Sequence, residues 1–152
     1  MNQAYIIITT VILMLVITKS QAVNDTISDV SPNCLKCICR VESNCRIPRP
    51  LCHVYRGYDT CGPYNINKKY WTEARSRGRQ LGTDWITCTI EMGCSERAVQ
   101  GYMARYAIAS RLGHEPTCED QARIHNGGPY GFRMSSTLSY WHKVEMCLKY
   151  RN

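Results

Sequence analysis

A single glutamate, Glu42, stands inside the densest group of cysteines in the chain. The surrounding cysteines are Cys34, Cys37, Cys39 and Cys45. If this stretch is helical, Leu35, Ile38 and Glu42 share one face, and the carboxyl lies at the end of an apolar strip. Apolar surroundings favour the neutral carboxyl, which is the form that donates a proton as a general acid. The alternative is a structural glutamate that caps the helix or pairs with Arg40 or Arg46.

Two elements would position this carboxyl, a short helix and a small β-hairpin. Asn33 is the predicted N-cap of the helix. Residues 45–63 are rich in proline and glycine and contain short apolar segments, which predicts a hairpin closed by Cys52 and Cys61.

The rest of the chain reads as short helices joined by loops. The predicted elements are a helix over 66–77, a basic loop over 75–82, a tight turn over 88–94, a helix capped by Ser95 and ended by Gly113, a helix begun by Thr117 in near capping-box form and stopped at 127–129, and a last helix from Ser136 or Thr137 through Leu148. The predicted fold class is therefore α+β, with several short helices around a small β-hairpin and a disulfide-rich interior.

The first 22 residues have the features of a secretory signal peptide. Tyr5 to Thr18 is almost wholly apolar but shorter than the roughly 18–20 residues that a membrane-spanning helix needs. Ser20-Gln21-Ala22 is a small-x-small cleavage pattern. We predict removal after Ala22, a flexible lead-in over 23–32 and one domain over 33–152. An uncleaved anchor is the alternative, and no stable membrane insertion is expected.

All ten cysteines follow this segment, which indicates an oxidising compartment and up to five disulfides. Cys34-x-x-Cys37 resembles half of a zinc site, but no second pair with matching spacing follows it. We therefore expect neither a metal nor another cofactor. The net charge is +7, or +6 once Lys19 is removed with the signal peptide. In a secreted protein this charge favours acidic bacterial surfaces or anionic glycans over nucleic acid, and ordinary solubility is the alternative.

Motifs spread along the chain together carry a family resemblance. They are Cys34-x-x-Cys37-Ile-Cys39-x-x-Glu42-Ser43-x-Cys45, Cys61-Gly-Pro-Tyr-x-Ile66, Tyr70-Trp71, Ala98-Val99-x-x-Tyr102-Met103-x-Arg105-Tyr106, the run from Cys118 to Pro129, and Tyr140-Trp141-x-x-Val144-x-x-Cys147. In order and spacing they resemble the invertebrate-type (i-type) lysozymes, a family that includes the destabilase of leeches. The resemblance extends from about Asn33 to Cys147.

This resemblance implies a lysozyme-like fold that cleaves the β-1,4 bond between N-acetylmuramic acid and N-acetylglucosamine in bacterial peptidoglycan. It implies that Glu42 is the general acid. The family places its second carboxylate, an aspartate, where this chain has Tyr55. Three possibilities follow: Asp59 in the same hairpin replaces that carboxylate, Tyr55 itself acts as sialidase tyrosines do, or nothing replaces it and the protein is a weak hydrolase or a binder.

The expected saccharide contacts combine aromatic and hydrogen-bonding side chains. The predicted substrate-binding residues are Tyr64, Asn65, Tyr70, His125, Asn126 and Gly127. Further candidates for stacking on a sugar or lining a cleft are Trp71, Tyr130 and Tyr140. Core packing is the alternative function of Tyr70, Trp71, Tyr102, Tyr106 and Trp141. Destabilase-type relatives are also credited with isopeptidase activity. The serines proposed for it align with Tyr58 and Thr60, and the lysine with Asn67, which leaves Thr60 and His125 as the conceivable dyad.

Sequence does not settle the disulfide pairing. Plausible local bridges are Cys39–Cys45, Cys52–Cys61 and Cys88–Cys94, which leave Cys34 and Cys37 for Cys118 and Cys147. We expect a secreted lysozyme, monomeric or weakly dimeric, that acts on peptidoglycan with activity reduced by Tyr55. A non-catalytic glycan-binding or cationic antibacterial protein is the alternative, and an isopeptidase is a third.

Overall fold

The computed structural model describes residues 29–77 and 80–150. The predicted signal peptide lies outside the described residues. In chain order the elements are α1 (Pro32–Ser43), β1 (Cys52–Tyr55), β2 (Tyr58–Cys61), β3 (Ile66–Asn67), α2 (Lys68–Arg75), α3 (Trp85–Ile90), α4 (Met92–Tyr106), α5 (Ala109–Leu112), α6 (Cys118–Gly127), two 3₁₀ turns (Gly131–Arg133 and Ser135–Thr137) and α7 (Leu138–Lys149). The α+β class is confirmed.

Helix α1 begins two residues earlier than its sequence predicts. Ser31, not Asn33, is the N-cap, and its hydroxyl accepts the Cys34 N–H at 3.2 Å. Proline at the next position suits the first helical residue because it has no N–H to satisfy. Val30 is buried, and the Gln100 side chain bonds both its N–H and its carbonyl. The end of the predicted flexible lead-in is therefore part of the fold.

The predicted hairpin is present and is extended by a third strand. Strands β1 and β2 pair antiparallel with Cys52 opposite Cys61, and β3 adds to β2 in the order β1-β2-β3. Arg56 and Gly57 form the turn with φ of 51° and 82°, the left-handed backbone of a tight two-residue hairpin loop. A two-residue strand is too short to give a periodic pattern, so β3 was not predicted.

The predicted tight turn over 88–94 is wrong. Helices α3 and α4 occupy this region and meet at Glu91, whose carboxylate accepts the N–H groups of Gly93 and Cys94. Ser95 therefore does not cap α4; it is buried in the first turns, where its hydroxyl donates to the Met92 carbonyl. Helix α4 ends at Tyr106, and the short α5 precedes Gly113.

The capping box of α6 is confirmed. Thr117 accepts the Asp120 N–H, and the Asp120 carboxylate accepts the Thr117 N–H at 2.9 Å. The helix ends before Gly128, which has a φ of 76°. This fixes the point at which the chain leaves α6, directly beside the cleft described below. Within residues 29–77 and 80–150, no helix combines the length and apolar character that crossing a membrane requires.

Disulfides join the helices around one apolar core. The pairs are Cys34–Cys118, Cys37–Cys147, Cys39–Cys45, Cys52–Cys61 and Cys88–Cys94. The three local bridges match those considered plausible from the sequence. The partners of Cys34 and Cys37, which the sequence left open, are Cys118 and Cys147 respectively. Three bridges start from α1, so this helix is fixed to α6, to α7 and to its own C-terminal loop. Ile38, on the inner face of α1, is fully buried.

Candidate active site

Glu42 lies in the last turn of α1, and its side chain is only 5% exposed. The amide of Asn65 donates to carboxylate Oε2 at 2.8 Å and to the Glu42 carbonyl at 3.3 Å. Asn65 can do this because it sits in a left-handed turn (φ 49°) after Pro63 and Tyr64. Ser43 fastens the same turn to α1 by donating to the Pro63 carbonyl at 2.8 Å. The loop therefore holds the carboxyl through Asn65, and Ser43 ties that loop to α1.

His125 from α6 lies on the other side of this carboxyl and is equally buried. Its Nε2 is 3.5 Å from Glu42 Oε1 and 3.1 Å from the Tyr64 carbonyl, and its Nδ1 is 3.1 Å from the Tyr70 hydroxyl. A carbonyl only accepts, so Nε2 carries the ring hydrogen and Nδ1 accepts from Tyr70. Burial lowers the pKa of His125, against smaller opposing effects of Glu42 and of the Tyr64 carbonyl. The ring is neutral at physiological pH.

Two phenols complete the buried surroundings of Glu42. Burial raises the pKa of Tyr70 well above its ordinary value, and Tyr102, Glu42 and Tyr64 raise it further. Burial also raises the pKa of Tyr140, with a further contribution from the negative charge of Glu42. The Tyr140 hydroxyl makes no hydrogen bond of acceptable geometry within the described part of the chain, although it lies close to that carboxyl. Both phenols keep their protons.

A cleft of about 300 Å³ opens in front of Glu42. Its lining residues are Tyr55, Arg56, Tyr58 and Thr60 from the hairpin, 125–128 and Met134 from the α6 side, and Glu42, Asn65, Asn67, Lys69 and Tyr70 from the remaining wall. Arg56 joins the first two walls, because its guanidinium donates to the Asn126 carbonyl at 3.1 Å. A larger cavity of about 560 Å³ lies behind Tyr64 and includes neither Glu42 nor His125, so it is not where the candidate chemistry is.

The hairpin presents Tyr55 to the cleft and turns Asp59 away from it. Tyr55 pairs with Tyr58, and both line the cleft, whereas Asp59 pairs with Val54 on the opposite face of the strands. Asp59 is exposed, and Val54 is 70% exposed. Because side chains alternate along a strand, Asp59 cannot turn inward without disturbing the pairing. Asp59 is not a replacement for the second carboxylate in this geometry.

The predicted Thr60–His125 dyad is not formed. Thr60 is buried in β2, and its hydroxyl donates to the His53 carbonyl at 3.2 Å. Both ring nitrogens of His125 are engaged by Tyr64 and Tyr70. His125 is therefore not directed at the Thr60 hydroxyl as a base, and the structure gives the isopeptidase interpretation no support.

The predicted saccharide-binding residues divide into two groups. Asn65, Tyr70, His125, Asn126 and Gly127 line the cleft. Tyr64 does not: its ring is 1% exposed, and its hydroxyl donates to the Leu35 carbonyl inside the core. Its contribution to the site is the backbone carbonyl that receives the His125 N–H.

The aromatic candidates belong mostly to the core. Tyr70 is 7% exposed and stacks on Tyr102 with ring centroids 3.6 Å apart, so its ring is not free to stack on a sugar. Trp71 is buried, with the Arg75 guanidinium 4.7 Å from its ring centroid. Tyr130 is 65% exposed but lies outside the cleft lining. Sequence reasoning missed the lining roles of Arg56 and Lys69, for which no local pattern gives a signal.

Comparisons with known proteins identify the family. The family model described as Destabilase matches residues 31–147. The chain belongs to this family. Lysozyme 1 of Crassostrea virginica is 48% identical over 117 residues, which cover 76% of this chain and 59% of that protein. A lysozyme of Magallana gigas is 44% identical over 117 residues, covering 76% and 78%.

A solved lysozyme structure confirms the fold of this chain. The matching chain comes from the crystal structure of Aeromonas hydrophila PliI in complex with Meretrix lusoria lysozyme, with a TM-score of 0.67 at 39% identity. The match covers 77% of this chain and 89% of that one. The predicted family, fold and lysozyme class of function are thereby confirmed, and lysozyme relatives imply a glycan substrate. The roles of Glu42 and Tyr55 remain predictions.

Proposed function

We propose that this lysozyme-family protein is secreted and cleaves the β-1,4 bond between N-acetylmuramic acid and N-acetylglucosamine in bacterial peptidoglycan. The observation that carries this proposal is the setting of Glu42. Its carboxyl is 5% exposed, bonded to Asn65 and directed at a cleft. A general acid needs this combination of a fixed position and partial desolvation, because it must hold a proton until the leaving oxygen arrives.

The neighbours of Glu42 fix its orientation without competing for its role. Asn65 holds Oε2, and the neutral ring of His125 stands beside Oε1. Tyr70 in turn fixes the His125 ring through Nδ1. These groups position the acid, and Glu42 alone transfers the proton to the glycosidic oxygen.

The activity is reduced because Tyr55 occupies the cleft wall where the family carries its second carboxylate. A phenol does not supply the negative charge that stabilises the positive sugar centre or activates the attacking group. Loss of one member of a catalytic pair lowers the rate by orders of magnitude without abolishing it. The five disulfides fit an oxidising, extracellular environment. We propose that the protein acts there as a monomer or weak dimer.

Clearing of bacterial cell-wall suspensions tests this proposal. The wild type should clear the suspension slowly, and Glu42→Gln should lose about 100-fold or more of the rate, since a general acid contributes 10²–10⁴-fold. Asp59→Asn is the matched control, because it removes an acid from the outer face of the hairpin and should leave the rate unchanged. Equal clearing by all three proteins would instead identify a cationic, non-enzymatic activity.

A further inference from the structure

The described part of the cleft lining offers a saccharide a single carboxyl group, and this limits how the glycosidic bond is broken. Among the described residues that line it, Glu42 has the one carboxyl, and the other formally charged side chains are Arg56 and Lys69. Hydrolysis needs a second group that attacks the sugar or activates water. In the family this second group is a carboxylate, and this chain has the phenol of Tyr55 at its position.

None of the surrounding side chains takes over the missing role. Burial raises the pKa of Tyr70 and of Tyr140, so neither phenol becomes a base. His125 donates through Nε2 and accepts from Tyr70 at Nδ1, so its lone pair is occupied. Tyr55 would need a carboxylate to remove its proton, and Glu42 is the sole carboxyl among the described lining residues. The attacking group must come from outside the protein.

The saccharide itself carries two suitable groups. In a β-linked N-acetylmuramic acid, the 2-acetamido oxygen reaches C1 from the face opposite the leaving oxygen. The 6-hydroxyl reaches C1 from the same face as the leaving oxygen. Well-oriented intramolecular groups have effective concentrations of roughly 10⁵–10⁸ M, far above that of water. Participation by the substrate is a known exception to the rule of two carboxylates.

We propose that Glu42 alone drives a non-hydrolytic cleavage that leaves a 1,6-anhydro sugar at the new muramic acid end; this inference rests on the proposed function. Glu42 first gives its proton to the leaving O4 while the acetamido oxygen bonds to C1 and the C1–O4 bond breaks. O6 then bonds to C1, the bond from C1 to the acetamido oxygen breaks, and the Glu42 carboxylate takes the O6 proton. The acetamido group and the protonated acid are both restored, and no water is consumed.

The geometry suits this sequence because both proton transfers take place on one face of the sugar. The leaving O4 and the incoming O6 lie on that face, so one carboxyl held in place by Asn65 serves as acid and then as base. The contact between Arg56 and Asn126 joins the hairpin to α6 beside this carboxyl's cleft. A second carboxylate on the opposite face, as the family pattern has it, is not required.

Digestion of purified peptidoglycan in heavy-oxygen water, followed by mass spectrometry, tests the inference. The expected new muramic acid ends are lighter than reducing ends by one water, contain no heavy oxygen and resist borohydride. Reducing ends that carry heavy oxygen would overturn the inference and leave the proposed function intact. Absence of any new ends would overturn both.

Tyr55→Asp provides the decisive variant, at a position that is 38% exposed and therefore tolerant of the change. Restoring the carboxylate should raise the ratio of reducing to anhydro ends by about tenfold or more, and an unchanged ratio would overturn the inference. Glu42→Gln should lose both kinds of end by about 100-fold or more. Asp59→Asn, on the outer face, should leave the product ratio of the wild type.

Discussion

Glu42 is surrounded by groups whose proton count does not change near neutral pH. His125 stays neutral because burial lowers its pKa, and Tyr70 and Tyr140 stay protonated because burial raises theirs. The hydrogen bonds among them therefore keep one pattern over a wide pH range. At the scale of single residues, the site is a carboxyl held in a neutral, preorganised frame, and each member of that frame has a measurable consequence.

The buried neutral His125 should make the protein less stable in mild acid. Its pKa is lowered in the folded state, so below the ordinary value of about 6.5 the unfolded chain binds a proton that the folded protein does not. The free energy of unfolding should decrease as the pH is lowered through that window, by at most about 1.4 kcal/mol per pH unit from this group. Above that pH window, the contribution of His125 to the free energy of unfolding is constant.

Denaturant unfolding of the wild type and of His125→Gln at several pH values checks this expectation. The variant should lose less stability than the wild type between neutral pH and about pH 5. His142→Gln is the control, because that side chain is 70% exposed. Parallel pH profiles for the wild type and His125→Gln would contradict the assignment.

Asn65 should matter for catalysis more than for folding. Asn65→Gly keeps a residue suited to the left-handed backbone at φ 49° but removes the amide that holds Glu42 Oε2. An ordinary hydrogen bond contributes about 0.5–1.5 kcal/mol, so kcat/KM should fall about 2- to 10-fold. Steady-state kinetics with an unfolding curve separate the two effects, and an unchanged kcat/KM would show that Asn65 does not orient the acid.

At the scale of elements, the sheet is placed by a close approach to α3. Gly62 follows β2 with a φ of 72°, and a Cβ there would collide with the Thr89 carbonyl of α3. This contact fixes where the hairpin stands and hence where Tyr55 meets the cleft. The absence of a side chain at Gly62 is therefore a packing requirement as well as a conformational one.

Gly62→Ala should destabilise the protein more than Gly113→Ala. Both glycines have positive φ, 72° and 84°, but a Cβ at Gly113 has no neighbour within 4 Å. The left-handed backbone costs an alanine about 1–2 kcal/mol at either position, and the collision should add about 1–3 kcal/mol at Gly62 alone. Guanidinium unfolding of the two variants measures the difference, and equal losses would rule out the collision.

The elements that the sequence predicts well are those with local signals. The capping box of Thr117 and Asp120 is complete within four residues, so α6 was predicted with its correct start. The junction at Glu91 was missed because a glutamate N-cap between two helices gives no turn signal. In the site, Glu42, Asn65 and His125 were identified from motifs. The burial of Tyr64 was not predicted, because it depends on how α1 and α4 pack together, and these two helices are far apart in the sequence.

At the scale of the whole molecule, the long-range disulfides carry the largest constraint on the chain. Cys37–Cys147 closes a separation of 110 residues, and Cys88–Cys94 closes one of 6. In the loop-entropy account, restriction of the unfolded chain stabilises the fold by an amount that grows with the logarithm of loop length. The two bridges therefore differ in their expected contributions although they have the same chemistry.

Replacing both cysteines of the long bridge by serine should cost about 1.5 kcal/mol more than replacing both cysteines of the short one, because the intact Cys34–Cys118 bridge shortens the loop that Cys37–Cys147 closes. Thermal and denaturant unfolding of Cys37→Ser/Cys147→Ser and Cys88→Ser/Cys94→Ser make the comparison. The first variant should also lose more activity, since Cys37 belongs to the helix that carries Glu42. Equal stability of the two variants would mean that loop length does not govern the effect.

Three bridges start from α1, and this has a consequence for the timing of activity. A newly made, fully reduced chain contains the catalytic candidate but lacks the covalent ties that hold its helix against α6 and α7. Enzymatic activity should then appear only as the disulfides form. Reducing agents should abolish it without any cleavage of the peptide chain. The thiol–disulfide balance of the surroundings would thus decide where and when a molecule of this protein can attack a cell wall.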